Sequence, residues 1–435
     1  MNKFLKVITL IVTVSLLSGC GIQIFAPRDT IKAPGATGFY AGVQDALEQS
    51  VGSDINLKYP LVDGVRTAFC TKDLDNCGGI EILAFYKKKT DSVGTHINVL
   101  CQDDGKWKSV QDIDLMGNEL LQISFADLDA DGCEEVVAGW QVHTKKDNQL
   151  CVYKMENKAL VQRAGETYSA FTVCDIDNNG KQEIAVSLLN TETKKASATF
   201  YEFKDNEFIL QSHLVLDGNI SSYAGMSSSK LKTGETAIYL DAYKSSDTMI
   251  TELIYMKDGV LYNPFADPNT RENRKTLRRV ALKSRDINGD GFIEIPFMYS
   301  MNGYENGDPS EKQYITFWKY FDTEEYDTVL TAWYCKAQGY YLVLDNELAK
   351  KITVIYDSNE GTAIFCKWDK AGEAAGDEIF RIAAVDSNVF KKSPPEGYTK
   401  ISETTEKVFA VKMGEASDFD LDPKKISQSF KYIID

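Results

Sequence analysis

From about residue 53 to residue 326, short apolar runs alternate with polar turns at a spacing that predicts one strand after another. The unit from Leu121 shows the pattern. Gln-Ile-Ser-Phe-Ala leads into an acidic loop, then Glu-Glu-Val-Val-Ala-Gly-Trp, a polar turn at Lys145 to Asn148, Leu-Cys-Val-Tyr, a turn at Glu156-Asn157, and Ala-Leu-Val-Gln-Arg. Each unit therefore holds four strands, and units begin near residues 64, 120, 168, 222 and 279. Before them, Phe39, Val43, Ala46 and Leu47 recur at helical spacing and predict one short helix over 39–50, closing one end of the sheet array. After Tyr320 the runs continue as Val329 to Tyr334, Tyr340 to Leu344, Ile352 to Tyr356, Thr362 to Cys366, Ile379 to Val385 and Lys407 to Val411. Asp422-Pro423 then predicts a helix start, with Ile426, Phe430 and Ile433 as its apolar stripe.

The units are punctuated by one acidic loop. Asp127-Leu-Asp-Ala-Asp-Gly-Cys-Glu-Glu, Asp175-Ile-Asp-Asn-Asn-Gly-Lys-Gln-Glu and Asp286-Ile-Asn-Gly-Asp-Gly-Phe-Ile-Glu place oxygen-bearing side chains at positions one, three, five and nine, with Gly at six. A weaker copy starts at Asp73, and the long interval from 175 to 286 requires a hidden unit, found at Leu231 to Leu240, where the acids are gone. Alternate acids in a tight loop converge their oxygens on one point, which like charges resist unless a cation sits there. The loop is not an EF-hand, because position twelve holds Ala138, Val186 or Phe297 in place of a bidentate Glu. The bland alternative is that the acids only cap turns through hydrogen bonds.

This order of residues resembles the FG-GAP/VCBS repeats of integrin-type β-propellers. The resemblance implies a mainly β fold, a β-propeller of about five four-stranded blades over 53–326, followed by a smaller α+β domain over 327–435 with an antiparallel sheet and a C-terminal helix. A solenoid of the same units is the alternative. It also implies Ca2+, with side-chain ligands Asp127, Asp129, Asp131 and Glu135; Asp175, Asp177, Asn179 and Glu183; and Asp286, Asn288, Asp290 and Glu294. Backbone carbonyls would come from Cys133, Lys181 and Phe292. In the first unit Asp73, Asp75 and Glu81 remain, but Cys77 stands where the central oxygen ligand should be. The C-terminal strands resemble a domain of exported lipoproteins of clostridial type, which carries over no activity.

The N-terminus resembles a bacterial lipoprotein signal: Lys3 and Lys6, an apolar stretch from Val7 to Leu17, then Leu17-Ser18-Gly19-Cys20. The expectation is a signal peptide over 1–19, a lipid on Cys20, a tether and short helix over 20–52, and a body outside the cytoplasmic membrane, on its outer face. The formal charge of −16, or −18 once both lysines leave, disfavours nucleic acid as a partner. Eight further cysteines could form disulfides after export, but several sit in strand-like runs, which favours buried thiols.

Candidate catalysis has little to rest on. His96, His143 and His213 stand in separate, surface-like contexts, without metal-ligand spacing, and no nucleophile elbow or phosphate loop is present. Trp140, Tyr153, Phe200, Tyr201, Phe317 and Trp318 occupy strand positions and suit packing better than sugar stacking. The basic run Arg271, Arg274, Lys275, Arg278 and Arg279 reads as a solvated loop or as a dock for an acidic partner or polyanionic cell wall. The functional expectation is a non-catalytic, calcium-stabilised surface module that binds a cell-envelope or extracellular protein or glycan. The alternative is an enzyme or carbohydrate-active protein using the same scaffold.

Overall fold

A computed structural model describes residues 39–60, 67–91, 94–116, 118–142, 147–306, 312–323, 325–416 and 418–433. Cys20, the expected signal and tether, and His143 lie outside these residues. The described chain is mainly β, arranged as antiparallel sheets that follow one another in chain order. The second sheet is the pattern for the rest: Asn118–Ala126, Glu135–Val142, Asn148–Glu156 and Ala159–Tyr168 pair each with the next. Turns this short leave consecutive strands only the antiparallel neighbour to pair with. The third sheet, Ala170–Cys174 to Glu207–Leu216, and the fourth, Ser222–Lys230 to Val260–Tyr262, repeat it. The fourth is the unit whose loop has lost its acids. In the first sheet two short strands, Ile55–Leu57 and Phe69–Lys72, share one edge of Glu81–Lys88.

The strand after each acidic loop packs on both of its faces, which explains why it is almost continuously apolar. In Glu135–Val142, Val136, Ala138 and Trp140 pack toward Leu83, Phe85 and Val99 of the first sheet. Val137, one residue out of phase, packs toward Phe171, Ile184 and Val186 of the third. The third and fourth sheets share Ala185, Phe200, Ile238 and Leu240, and the fourth and fifth share Tyr239, Leu253, Ile295 and Phe297. Gly139 is required by a close approach: a Cβ there would lie 2.4 Å from the Tyr168 hydroxyl and 2.7 Å from the Phe171 ring.

The helix forms over Phe39–Val51, and Val43, Ala46 and Leu47 bury against Ile82, Ala84, Tyr86 and Leu100. Those residues lie on the face of the first sheet turned away from the second.

At the C-terminal end the expected domain boundary at 326/327 falls inside a strand. Glu325–Cys335 and Tyr340–Leu344 belong to the fifth sheet, with Ile295–Ser300 and Tyr314–Asp322. A sixth sheet contains Ile352–Asp357, Thr362–Asp369, Ala374–Asp386, Lys407–Met413 and Thr399–Glu403, in that order. The two sheets share one core, in which Trp333, Tyr340 and Leu342 meet Val354, Phe365, Ile382 and Val411. The last helix, Pro423–Ser429, starts where expected, with Asp422 accepting a hydrogen bond from the Lys425 amide at 2.8 Å. It is shorter than its apolar stripe suggested. Phe430 opens a strand, Phe430–Tyr432, that pairs with Tyr340–Leu344 and covers the free edge of the fifth sheet.

Between the fourth and fifth sheets, residues 263–294 form only isolated bridges, and a buried polar network holds them. Glu252 accepts hydrogen bonds from the Asp217 amide at 3.0 Å, from Asn263 Nδ2 at 2.5 Å and from Asn273 Nδ2 at 3.0 Å. Arg278 donates to Asp241 Oδ1 at 2.9 Å and to the Leu282 carbonyl at 2.6 Å. The basic run is thus not one solvated stretch. Arg271, Arg274, Lys275 and Arg279 are exposed, while Arg278 is 1% exposed and structural. Sequence spacing could not show this, since Arg278's partner is 37 residues away.

Candidate metal centres in the acidic loops

The four acidic loops share one backbone. Position four takes a positive φ in Asn76, Ala130, Asn178 and Gly289, and position six does so in Gly78, Gly132, Gly180 and Gly291. Two left-handed residues so close together fold the loop tightly, and Gly at six removes the Cβ clash there. The same hydrogen bonds recur. Position one accepts from the position-six amide at 2.8 to 3.1 Å. The position-three oxygen accepts from the position-five amide at 3.1 to 3.2 Å. The Glu at position nine reaches back from its strand to accept from the position-two amide: Leu74 at 2.9 Å, Leu128 at 2.8 Å, Ile176 at 3.1 Å and Ile287 at 3.0 Å.

The acids therefore do cap the turn, but capping by that glutamate uses only one of its two oxygens. Glu183 Oε1, Glu294 Oε1, Asp73 Oδ1 and Asp175 Oδ1 are buried without a hydrogen-bond partner. So is Glu135 Oε1, except for an ion-pair approach from Lys154 Nζ at 3.4 Å. Leaving such atoms unsatisfied is costly unless something cationic meets them. The loop glutamates are sealed: Glu135 and Glu294 are 0% exposed, Glu183 2% and Glu81 6%. Burial, reinforced by the neighbouring aspartates, pushes all four carboxyls up, Glu183 to about 7.

Three loops bring their acids to one point. Asp73, Asp75 and Glu81, Asp127, Asp129 and Glu135, and Asp175, Asp177 and Glu183 each place ligand oxygens within 4.8 Å of one another and could hold a metal ion. The first of these is the loop in which Cys77 was expected to weaken the site. Cys77 is exposed, and its amide donates to Asp75. Among the described residues the loop of the fifth unit, starting at Asp286 and called the fifth loop after its unit, forms no such cluster. Both oxygens of Asp286 accept loop amides, and Asp290 Oδ2 accepts from Asn288 Nδ2 at 2.9 Å. Asp131 and Asn179 accept from the amides of Cys133 and Lys181.

Lys154 enters the second loop from the neighbouring strand, with Nζ 2.6 Å from both Asp129 Oδ2 and Asp131 Oδ2. It holds the Asp131 carboxyl below the usual range. A second missed group lies on the first sheet. His96, expected at the surface, is 2% exposed and stacks on Tyr86 at 4.7 Å. Its Nε2 is 3.0 Å from Asp91 Oδ2, while Tyr86 and Asn98 bind Asp112. The alternation His96-x-Asn98 against Asp112-x-Asp114 carried that signal. His213 Nδ1 sits 3.1 Å from Thr199 Oγ1. Trp140, Tyr153, Phe200 and Trp318 are buried in cores, and the eight described cysteines are free, five of them buried.

No family model and no curated protein matches the chain. Among solved structures, a rhamnogalacturonan lyase of Bacillus licheniformis is similar at a TM-score of 0.32 and 11% identity, over 82% of this chain and 91% of that one. An exotype rhamnogalacturonan lyase gives 0.32 and 12%, over 74% of each chain. An exo-β-1,3-galactanase from Clostridium thermocellum gives 0.29 and 10%, over 84% and 82%. At these scores the similarity assigns the chain neither a fold family nor an activity.

Proposed function

We propose that this chain is a non-catalytic binding module, lipid-anchored through Cys20 on the outer face of the cytoplasmic membrane and stabilised by calcium in its acidic loops. The observation that carries the calcium assignment is the set of sealed loop glutamates, each with one oxygen on a loop amide, of which Glu81, Glu135 and Glu183 also converge with their loop's own aspartates. Oxygen-only donors suit a hard cation of Ca2+ size better than Mg2+, which demands a tighter octahedral shell. Asp73, Asp75 and Glu81, and Asp175, Asp177, Asn179 and Glu183, would hold it. Bound calcium would supply the positive charge that these carboxylates lack and tie the loop to the following strand.

Four- and five-stranded antiparallel sheets that, among the described residues, share a core with their neighbours in chain order support an array of blades, a propeller or an open solenoid, over a sandwich. Small-angle scattering of the calcium-loaded chain distinguishes a ring from an open stack.

For the partner, an anionic cell-envelope glycan is favoured by a cavity of about 530 Å3 beside the fifth sheet, bounded also by Asp247 from a hairpin of the fourth and Tyr356 from the sixth. Arg279, Lys312 and Lys336 line it, together with Tyr314, Tyr334 and Trp333. Three cations beside aromatic faces, on a chain of net charge −16, suit a sugar that carries carboxylate or phosphate. Co-sedimentation of the chain with an acidic cell-wall polymer tests this. Reversing Arg279 and Lys336 to Glu should abolish pelleting, and unchanged pelleting refutes the site.

A further inference from the structure

The second acidic loop differs from the first and third in one respect that its own sequence does not show. Position nine of each loop begins a strand, and the next strand of the hairpin places one side chain beside it. In the first loop Glu81 pairs with Cys101. In the second, the residue one step beyond the Val136–Tyr153 pair is Lys154. In the third, one step beyond Ile184–Tyr201, it is Glu202, and in the fifth, one step beyond Ile295–Lys319, it is Tyr320. Only the second hairpin offers a cation at this position.

Lys154 uses it fully. Asp129 Oδ1, Asp131 Oδ1 and Glu135 Oε2 are occupied by the amides of Asp131, Cys133 and Leu128. Lys154 Nζ lies on the other oxygen of each: Asp129 Oδ2 and Asp131 Oδ2 at 2.6 Å, and Glu135 Oε1 at 3.4 Å. An ammonium has three N–H donors and no acceptor, which matches three carboxylate oxygens. Its side chain is only 18% exposed, so leaving this position would take a charge out of a well-paired setting. In the third loop, by contrast, Asp175 Oδ1 and Glu183 Oε1 have no partner.

We propose that the Lys154 ammonium is the resident cation of the second loop, which is thereby closed to calcium, while the first and third loops take the metal. This rests on the calcium assignment above. Extracellular calcium sites are weak, with dissociation constants of roughly 10⁻⁴ to 10⁻³ M, so a tethered competitor that weakens binding about a hundredfold empties a site at millimolar calcium. The second repeat then keeps its loop folded at any calcium concentration, and the metal-dependent loops lie on either side of it.

The test is calcium bound per chain, measured by equilibrium dialysis at 1–2 mM free calcium (about the level at which such weak sites fill) on the full chain. Asp129→Asn should leave the wild-type count unchanged, Asp175→Asn should lower it by one, and Lys154→Met should raise it by one. Thermal melting supplies a second measurement: Asp129→Asn should be no more sensitive to chelation than the wild type, and Lys154→Met more so. A wild-type count that falls on Asp129→Asn overturns the proposal and leaves the calcium assignment standing. A Lys154→Met chain that melts cooperatively in calcium with an unchanged count also overturns it. Should the wild type bind none while Lys154→Met binds one, the calcium assignment of the other loops fails and the role of Lys154 stands. Absence of calcium from both overturns both.

Discussion

Arg278 Nη2 lies 2.9 Å from Asp241 Oδ1, and the two side chains are 0% and 4% exposed. The pair is nearly sealed from water; the Thr276 and Leu282 carbonyls also accept from Arg278, and the Thr251 hydroxyl and the Ser284 amide donate to Asp241. It ties the irregular segment before the fifth sheet to the Thr236–Tyr243 strand of the fourth.

Arg278→Met should therefore destabilise the chain by about 3–5 kcal/mol, because Asp241 is left charged and buried without its partner. Arg274→Met, at an exposed and solvent-screened ion pair with Glu272, should leave stability nearly unchanged. Denaturant unfolding of both variants checks the contrast. Equal losses would mean that the segment is not held by the buried pair.

Chelation should lower the melting temperature, with recovery by calcium much better than by magnesium. At ~1 mM calcium and a dissociation constant of ~0.1 mM, each occupied loop contributes about 1.4 kcal/mol. An unchanged melting temperature under chelation would reduce the acids to turn caps. The measurement uses the full chain, since a cut at 326/327 would sever a strand of the fifth sheet and a cut after Leu344 would open the core that this sheet shares with the sixth.

The Glu183 carboxyl, pushed up to about 7 chiefly by burial and then by Asp177 and Asp175, predicts a pH dependence. With its folded value above its unfolded one, the folded chain holds the extra proton between about pH 4.5 and 7. Its contribution to stability is present below that window and lost as pH rises through it. Chelated protein should thus lose stability from pH 4.5 to 7, and Glu183→Gln should flatten the slope. Calcium should flatten it as well. A slope unaffected by Glu183→Gln would place its origin elsewhere.

Gly139→Ala should destabilise by about 1–3 kcal/mol through overpacking, because the new methyl meets the Tyr168 hydroxyl and the Phe171 ring at the contact between the second and third sheets. Combining it with Tyr168→Phe should recover part of the loss, measured in the same unfolding assay. No recovery would locate the strain in the backbone.

Local structure was legible from residue order alone. Runs such as Val136 to Trp140 and Ile184 to Ser187 form strands flanked by tight polar turns, and a chain with such turns makes antiparallel meanders. The acid loops were equally legible, since the Asp spacing, the Gly at position six and the Glu at position nine are all contained within nine residues. Asp422-Pro423 marked its helix for the same reason.

The features hidden from the sequence depend on partners far apart in the chain. The C-terminal strand Phe430–Tyr432 joins a sheet that begins at Ile295, because an open edge and a Tyr340 ring 4.8 Å from Phe430 are available there. Arg278 is buried because Asp241 lies across the packing, and His96 is buried because alternate residues of three strands share one face. Lys154 follows the same logic. Nothing in its own neighbourhood distinguishes it from a surface lysine, yet hairpin register places its ammonium among three carboxylates from a loop about 20 residues earlier in the chain.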